Sequence, residues 1–179
     1  MKIYRYILLV IAAMLVLTSP VVYAENQVYD PSMQSLVKQN CVSAQGTLTR
    51  LHANDALARV HLGQEYETIL SKLITPMNSR IVLDKFDGSD MVKIASEFNV
   101  KLDEFRSQYQ KYDVSISKLI QMNCVDQPES FVDGLSDSRD LRQSVRSTID
   151  ELSSLVQDYH TQVGILRTQV DQANSGGQN

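Results

Sequence analysis

The two cysteines are the residues whose positions point most directly to chemistry. Cys41 and Cys124 stand in near-copies of one phrase, LVKQNCV at 36–42 and LIQMNCV at 119–125. A segment typical of export precedes them, and oxidising compartments outside the cytoplasm favour disulfides. The sequence therefore predicts a Cys41–Cys124 disulfide. The alternative is two buried free thiols on apolar helix faces.

Asp55 is the second candidate, because it is the one charged residue on the apolar stripe of the first predicted helix. With the cysteines as register, position 55 faces about position 110 on the second helix and about position 138 on the third. A buried acid needs hydrogen-bond partners. We therefore predict a buried polar layer in the middle of the bundle, made of Asp55, Arg59, Tyr109, Tyr112, Ser138 and Arg142, with Arg139 beside it. Such a layer can set helix register, or it can be an internal ligand or proton site.

Other reactive residue types lack the spacing that chemistry requires. His52, His61 and His160 form no recognisable metal-ligand pattern with each other, with cysteine or with acids. The sequence contains neither the glycine-flanked serine of a nucleophile elbow nor a glycine-rich phosphate loop. We predict no catalytic residue, no metal and no cofactor, and we expect that the protein is not an enzyme.

The N-terminus resembles a secretory signal. Lys2 and Arg5 form a positive start, Ile7–Leu17 is apolar throughout, and the residues up to Ala24 suit a cleavage site. We predict a signal peptide at 1–24 and an exported protein in the periplasm, at the cell surface or outside the cell. The alternative is an uncleaved anchor, because Tyr6–Ala24 approaches membrane-spanning length.

Three long segments carry apolar residues at alternating steps of three and four, which is the period of a helix buried along one face. They predict helices at about 31–75, 89–123 and 127–172, followed by a flexible tail at 173–179. The first segment is open to a second interpretation as two helices, because Gly46 interrupts it and Asn54 or Asp55 could cap a new helix.

The chain lengths between the breaks predict the topology. Pro76 is expected to end the first helix, pushing Thr75 out of the helical region. The stretch from Cys41 to Pro76 would then be about 52 Å of helix and the stretch from Asp90 to Cys124 about 51 Å. A first helix that continued to Asp87 would put the cysteines about 16 Å out of register and prevent the bridge. We predict an all-α, elongated up-down-up three-helix bundle with coiled-coil-like packing.

Composition restricts the function. The 179 residues suit one domain at 25–172 after the signal, and 17 basic against 21 acidic residues argue against nucleic acid as a partner. We predict a structural or protein-interaction module that contacts a protein partner or a second copy through its helix faces. It would touch a membrane only through an uncleaved signal segment. The alternative is a bundle that binds a small apolar or amphipathic ligand between its helices, which a cavity lined by Tyr109 and Tyr112 near Asp55 would favour.

Overall fold

The structure, a computed structural model, describes residues 30–176, so the predicted signal peptide at 1–24 lies outside the described residues. The helices in chain order are α1 (Pro31–Thr68), a π-helical segment (Ile69–Ile74), α2 (Thr75–Leu83), α3 (Ser89–Gln121) and α4 (Pro128–Gly176). The backbone stays helical where the first three meet, so they run on as one arm. We call α1, the π-helical segment and α2 together the first arm.

Side-chain contacts fix the direction of each arm. His52 meets Asp113 and Cys41 meets Cys124, so the first arm and α3 are antiparallel. The Ser115–Ser138 contact lies at the start of α4 and the end of α3, which makes these two helices antiparallel as well. The expected all-α, up-down-up three-helix bundle is confirmed for the described residues. It is long, because α4 alone has 49 residues, about 74 Å of helix.

The core is built around α3, whose buried side chains follow the predicted stripe at steps of three and four. They are Met91, Phe98, Leu102, Phe105, Tyr109, Tyr112, Ile116 and Leu119. The ring of Tyr66 on α1 packs edge-on against Phe98 and Phe105, with centroids 6.0 and 6.3 Å away. The most extensive interface lies between α3 and α4, whereas α1 packs mainly on α3 and touches α4 little. This imbalance leaves a cleft between α1 and α4.

The predicted end of the first helix at Pro76 is wrong, because the arm continues to Leu83. Thr75 keeps helical angles (φ −62°, ψ −48°), and its N–H donates to the carbonyl of Leu70, five residues back. A proline ring inside a helix clashes with the carbonyl four residues earlier. The wider π turn leaves room for that ring, and Pro76 then stands in the first turn of α2, where a missing N–H costs little.

The disulfide forms although the first arm does not break at Pro76, so the predicted dependence of the bridge on that break is also wrong. The Cα atoms of Cys41 and Cys124 are 5.6 Å apart, within the range that a disulfide spans. Helix α3 ends at Gln121, and Met122 is extended (φ −70°, ψ 137°). Extended residues advance about 3.3 Å each rather than 1.5 Å, which recovers part of the register that the longer first arm loses.

Specific contacts close the connections at both ends of α3. The side-chain amide of Gln45 donates to the carbonyls of Ile120 (2.9 Å) and Met122 (2.7 Å), which satisfies acceptors that the end of a helix leaves open. At the opposite end, Gly88 lies directly against the buried side chain of Ile81, and a Cβ added to this glycine would collide with it. The turn after α2 therefore requires glycine for close approach.

The remaining boundaries differ little from expectation. Helix α1 is continuous through Gly46 and Asp55, so the one-helix interpretation is confirmed up to Thr68. Asp55 does not cap a helix, because partners on α3 and α4 occupy its carboxylate. Helix α4 continues to Gly176, so the first residues of the predicted tail are helical, and residues 177–179 lie outside the described part. Among residues 30–176, no helix is both long and apolar enough to span a membrane.

Candidate functional site

The carboxylate of Asp55 joins all three arms of the bundle. The Tyr112 hydroxyl on α3 donates to its Oδ2 at 2.6 Å. The Arg142 guanidinium on α4 makes a two-pronged contact, with Nε 2.7 Å from Oδ2 and Nη2 2.9 Å from Oδ1. Charge-assisted, bidentate bonds of this kind are the strong ones. They hold α1 and α4 together at a level where the two helices otherwise have few contacts.

The network determines the charge of Asp55. Burial raises the pKa of Asp55, but the hydrogen bonds from Arg142 and Tyr112 lower it by more, so the pKa lies below its ordinary value. Burial and the neighbouring carboxylate of Asp55 both raise the pKa of Tyr112. Asp55 is therefore ionised, and Tyr112 is a neutral donor, at any pH near 7.

Tyr109, one turn before Tyr112, has a different environment. Its ring meets the Tyr112 ring edge-on at 6.0 Å, and the guanidinium of Arg59 lies 5.3 Å from its centroid. The side chain is buried, yet the hydroxyl has no hydrogen-bond partner within the described residues. Burial raises the pKa of Tyr109. A buried donor without an acceptor is costly, and such groups are few in folded proteins.

The cleft beside this network encloses about 360 Å³. Its walls come from α1, α3 and α4 and combine apolar side chains with several charged ones. The lining residues are Asp55, Ala58, Arg59, Leu62, Phe105, Tyr109, Tyr112, Arg139, Arg142, Gln143, Val145, Arg146 and Ile149. The apolar residues Phe105 and Val145 are buried, whereas the arginines are exposed, so the charges surround the mouth of an apolar hollow.

The predicted layer differs from this arrangement in two ways. The structure brings Asp55, Tyr112 and Arg142 together and puts Arg59 on Tyr109, but Ser138 is not part of the group. Ser138 is buried one turn away, and its hydroxyl is 2.8 Å from that of Ser115. The layer is also not buried throughout, since the Arg142 side chain is 47% exposed and that of Asp55 18%.

Asp55 binds residues that lie slightly further along α3 and α4 than the cysteine register indicates, and this offset has a simple cause. Side chains on a helix lean towards its N-terminus, so a given surface position is covered by a residue slightly further along the chain. The cysteine register brings positions 110 and 138 to the level of Asp55, and Tyr112 and Arg142 reach back to that level. The backbone register was thus nearly right, and of the two α4 residues predicted for the layer, Arg142 binds Asp55 whereas Ser138 does not.

Several polar contacts between the helices were missed, among them His52–Asp113 and Tyr159–Asn78. His52 Nε2 lies 2.6 Å from Asp113 Oδ1, and the cysteine register, which puts position 52 opposite 113, is the signal that could have found this pair. The Tyr159 hydroxyl donates to Asn78 Oδ1 at 2.8 Å and contacts the carbonyl of Ile74 at 3.2 Å. Burial raises the pKa of Tyr159 to about 12. The Tyr159–Asn78 contact depends on α2, which lies beyond the predicted end of the first helix.

No cluster of three or more histidine, cysteine or acidic side chains suited to a metal occurs in the described part of the chain. The absence of metal and cofactor remains a prediction. No protein-family model, curated protein or solved structure matches this chain, so the case for a function rests on the cleft and its residues.

Proposed function

We propose that this protein binds a small amphipathic ligand in the cleft between α1, α3 and α4. The observation that carries the proposal is the cleft of about 360 Å³ that reaches Asp55, Tyr109 and Tyr112. Ligand sites in proteins are concave and enclose about 300–1,000 Å³, with mainly apolar walls and a few placed polar groups. The cleft lies at the small end of that range.

The packing of the bundle supports this reading. A core that closed completely would leave α1 in contact with both other helices, but α1 touches α4 little. Apolar side chains of Leu62, Phe105 and Ile149 face the resulting space from three helices. Burying such surface against an apolar group is favourable by roughly 25 cal/mol per Å². A ligand with an apolar part would therefore complete the core at this level.

The site chemistry favours binding without catalysis. A general base works best when its pKa is near the working pH. The pKa of Asp55 is lowered, and Tyr112 and Arg142 already occupy its oxygens. An acid in this state is a poor proton acceptor, which supports a role in fixing the walls of the cleft.

We further propose that the protein acts outside the cytoplasm. The Cys41–Cys124 pair at bridging distance supports this location, because structural disulfides belong to oxidising compartments. The predicted signal peptide at 1–24 agrees with it.

Blocking the cleft tests the ligand proposal. Ala58 lines the cleft, so Ala58→Leu would fill space without removing a polar contact. Ala53→Leu is the matched control, because Ala53 is exposed on the same helix and does not line the cleft. We expect saturable binding of decanol or decanoate to the unmodified protein by isothermal titration calorimetry. Ala58→Leu should weaken it at least about tenfold, and Ala53→Leu should not; equal binding by both variants would refute the proposal.

A second candidate is the structural or interaction module, acting through contact with a second copy of this chain. The first arm covers Tyr159 of α4 through Ile74 and Asn78, but the last part of this arm also exposes large apolar side chains. Leu73, Val82 and Leu83 are 61%, 69% and 75% exposed. Sedimentation of the intact protein and of Val82→Ser/Leu83→Ser tests this candidate: self-association that the double variant abolishes would support it, and a monomer at all concentrations would exclude it.

A further inference from the structure

We infer that the cleft is selective for an anionic headgroup, and that its ligand is a single-chain amphiphile ending in a carboxylate or a phosphate. This inference rests on the proposed ligand-binding function and specifies the chemistry of the ligand. It depends on three features of the cleft. These are the excess of guanidinium groups, the absence among the described residues of a salt bridge to Arg139 or Arg146, and the position of the apolar walls.

The charge of the lining is opposite to that of the chain. Four arginines, Arg59, Arg139, Arg142 and Arg146, line the cleft together with a single carboxylate, that of Asp55. The chain as a whole has a net charge of −4. A cleft lined by one sign of charge concentrates ligands of the other sign, so the cleft attracts anions although the protein as a whole does not.

Most of these guanidinium groups have no counter-ion in the part of the chain that the structure describes. Asp55 pairs with Arg142, and Arg59 lies over the Tyr109 ring. Within residues 30–176, no carboxylate forms a salt bridge with Arg139 or Arg146. Positions 139, 142 and 146 are three and four apart, so they form one row on α4. Like charges in such a row repel each other, and an anion placed among them would relieve the repulsion.

The residue type points to an oxyanion. The planar guanidinium fork matches the geometry of carboxylate and phosphate and can bind either through two parallel hydrogen bonds. Asp55 already shows this mode inside the protein, since both of its oxygens accept bonds from Arg142. The ligand headgroup would repeat with Arg139 and Arg146 the contact that Asp55 makes with Arg142.

The burial pattern adds the second half of the ligand. Phe105 and Val145 are buried and Leu62 is half-buried, whereas Arg139 and Arg146 are exposed at the mouth. A chain that enters with its apolar end inwards would leave its headgroup beside the arginines. The small volume limits the ligand to one short chain, which distinguishes it from a two-chain lipid.

Asp55 is then an internal competitor for the same charge. Its carboxylate neutralises Arg142 and repels an incoming anion. Asp55→Asn keeps the shape of the side chain and removes the charge, so we expect it to strengthen binding of an anionic ligand about threefold to tenfold. Because Asp55 also fixes the walls of the cleft, the change is measured as the ratio of anionic to uncharged ligand affinity, which should rise by that factor.

The test compares four ligands of equal chain length below their aggregation concentrations: decanoate, decyl phosphate, decanol and decyltrimethylammonium. Calorimetry on the intact, oxidised protein is expected to show decanoate or decyl phosphate binding at least about tenfold more tightly than decanol, with the preference shrinking as salt is raised. The cation should bind most weakly. The ratio of decanoate to decyl phosphate affinity then identifies the headgroup.

Paired variants locate the preference. Arg139→Gln/Arg146→Gln should remove the preference, so that this variant binds the anions no more tightly than it binds decanol. The control Arg50→Gln/Arg167→Gln removes the same charge from exposed positions outside the cleft and should preserve the preference. If decanol binds as tightly as the anions and Ala58→Leu still blocks it, the anion inference fails while the proposed function stands. If none of the four ligands binds, both fail.

Discussion

Replacing either of two neighbouring tyrosines by phenylalanine should change stability in opposite directions. Tyr109 and Tyr112 lie on the same helix, are both buried, and have rings in edge-on contact. The substitution removes one hydroxyl in each case and keeps the ring. Only the bonding of that hydroxyl differs, since Tyr112 donates to Asp55 and Tyr109 has no partner within the described residues.

The magnitudes follow from these contacts. Leaving a buried polar group unsatisfied costs about 1–3 kcal/mol, and Tyr109→Phe should recover that amount as added stability. A hydrogen bond to a charged group contributes about 1.5–3 kcal/mol, which Tyr112→Phe should lose. The two variants are thus expected to differ by at least about 2.5 kcal/mol in free energy of unfolding. For a domain of this size, each kcal/mol corresponds to about 2–4 °C in Tm.

Urea denaturation followed by far-UV circular dichroism, on the oxidised protein, measures both values. The dependence of the unfolding free energy on urea should be the same in both variants, because neither changes the surface exposed on unfolding. A loss of stability in Tyr109→Phe as large as that in Tyr112→Phe would refute the reasoning. It would mean that the Tyr109 hydroxyl has a bonding partner in solution.

Three further predictions concern the ends of the bundle and its central acid. Reducing the disulfide, or replacing Cys41 and Cys124 by serine, should cost about 4 kcal/mol for a bridge across 83 residues, measured by urea denaturation with and without reductant. Gly88→Ala should lower the free energy of unfolding by about 1–3 kcal/mol, because the added Cβ collides with the side chain of Ile81. Gly46→Ala, whose added Cβ meets open space in α1, should raise the free energy of unfolding by about 0.5–1 kcal/mol. The pKa of Asp55 is lowered in the fold, so its stabilisation is complete above its ordinary value of 3.8 and is lost as pH falls below that value; Asp55→Asn should reduce this acid dependence in denaturation measured from neutral to acid pH.

Helical period and cysteine spacing were enough to predict the fold. The stripe through Phe98, Phe105 and Tyr112 identified the face of α3 that is buried, because burial along a helix follows its 3.6-residue period. The level at which Asp55 meets the other helices also followed from the cysteines. The buried face and the level of Asp55 depend on the apolar period and on the cysteine spacing, so an error at one helix end has little effect on either.

Other features depend on geometry that the helical period of the sequence does not determine. Pro76 normally ends a helix, and the π turn that accommodates it has no simple sequence signature. Of the two α4 residues predicted for the layer, Arg142 rather than Ser138 binds Asp55, because side-chain lean adds to backbone level. The cleft arises from the distance between α1 and α4, to which many contacts along both helices contribute. Arg146 lines this cleft, and the helical period alone did not predict it as a site residue.

The π-helical segment at Ile69–Ile74 has a consequence for how the chain can change in length. A π turn holds one more residue than an α turn, so the first arm stores a surplus residue there. Deleting one residue of α1 would rotate the rest of the arm by about 100° about the helix axis and turn Ile81 out of its buried position against Gly88. A deletion inside Ile69–Ile74 would instead keep the phase of the helix, provided that Pro76 is replaced as well, because the ordinary turn that results has no room for the proline ring. This short stretch is where the arm can shorten by one residue while the faces on either side of it stay aligned.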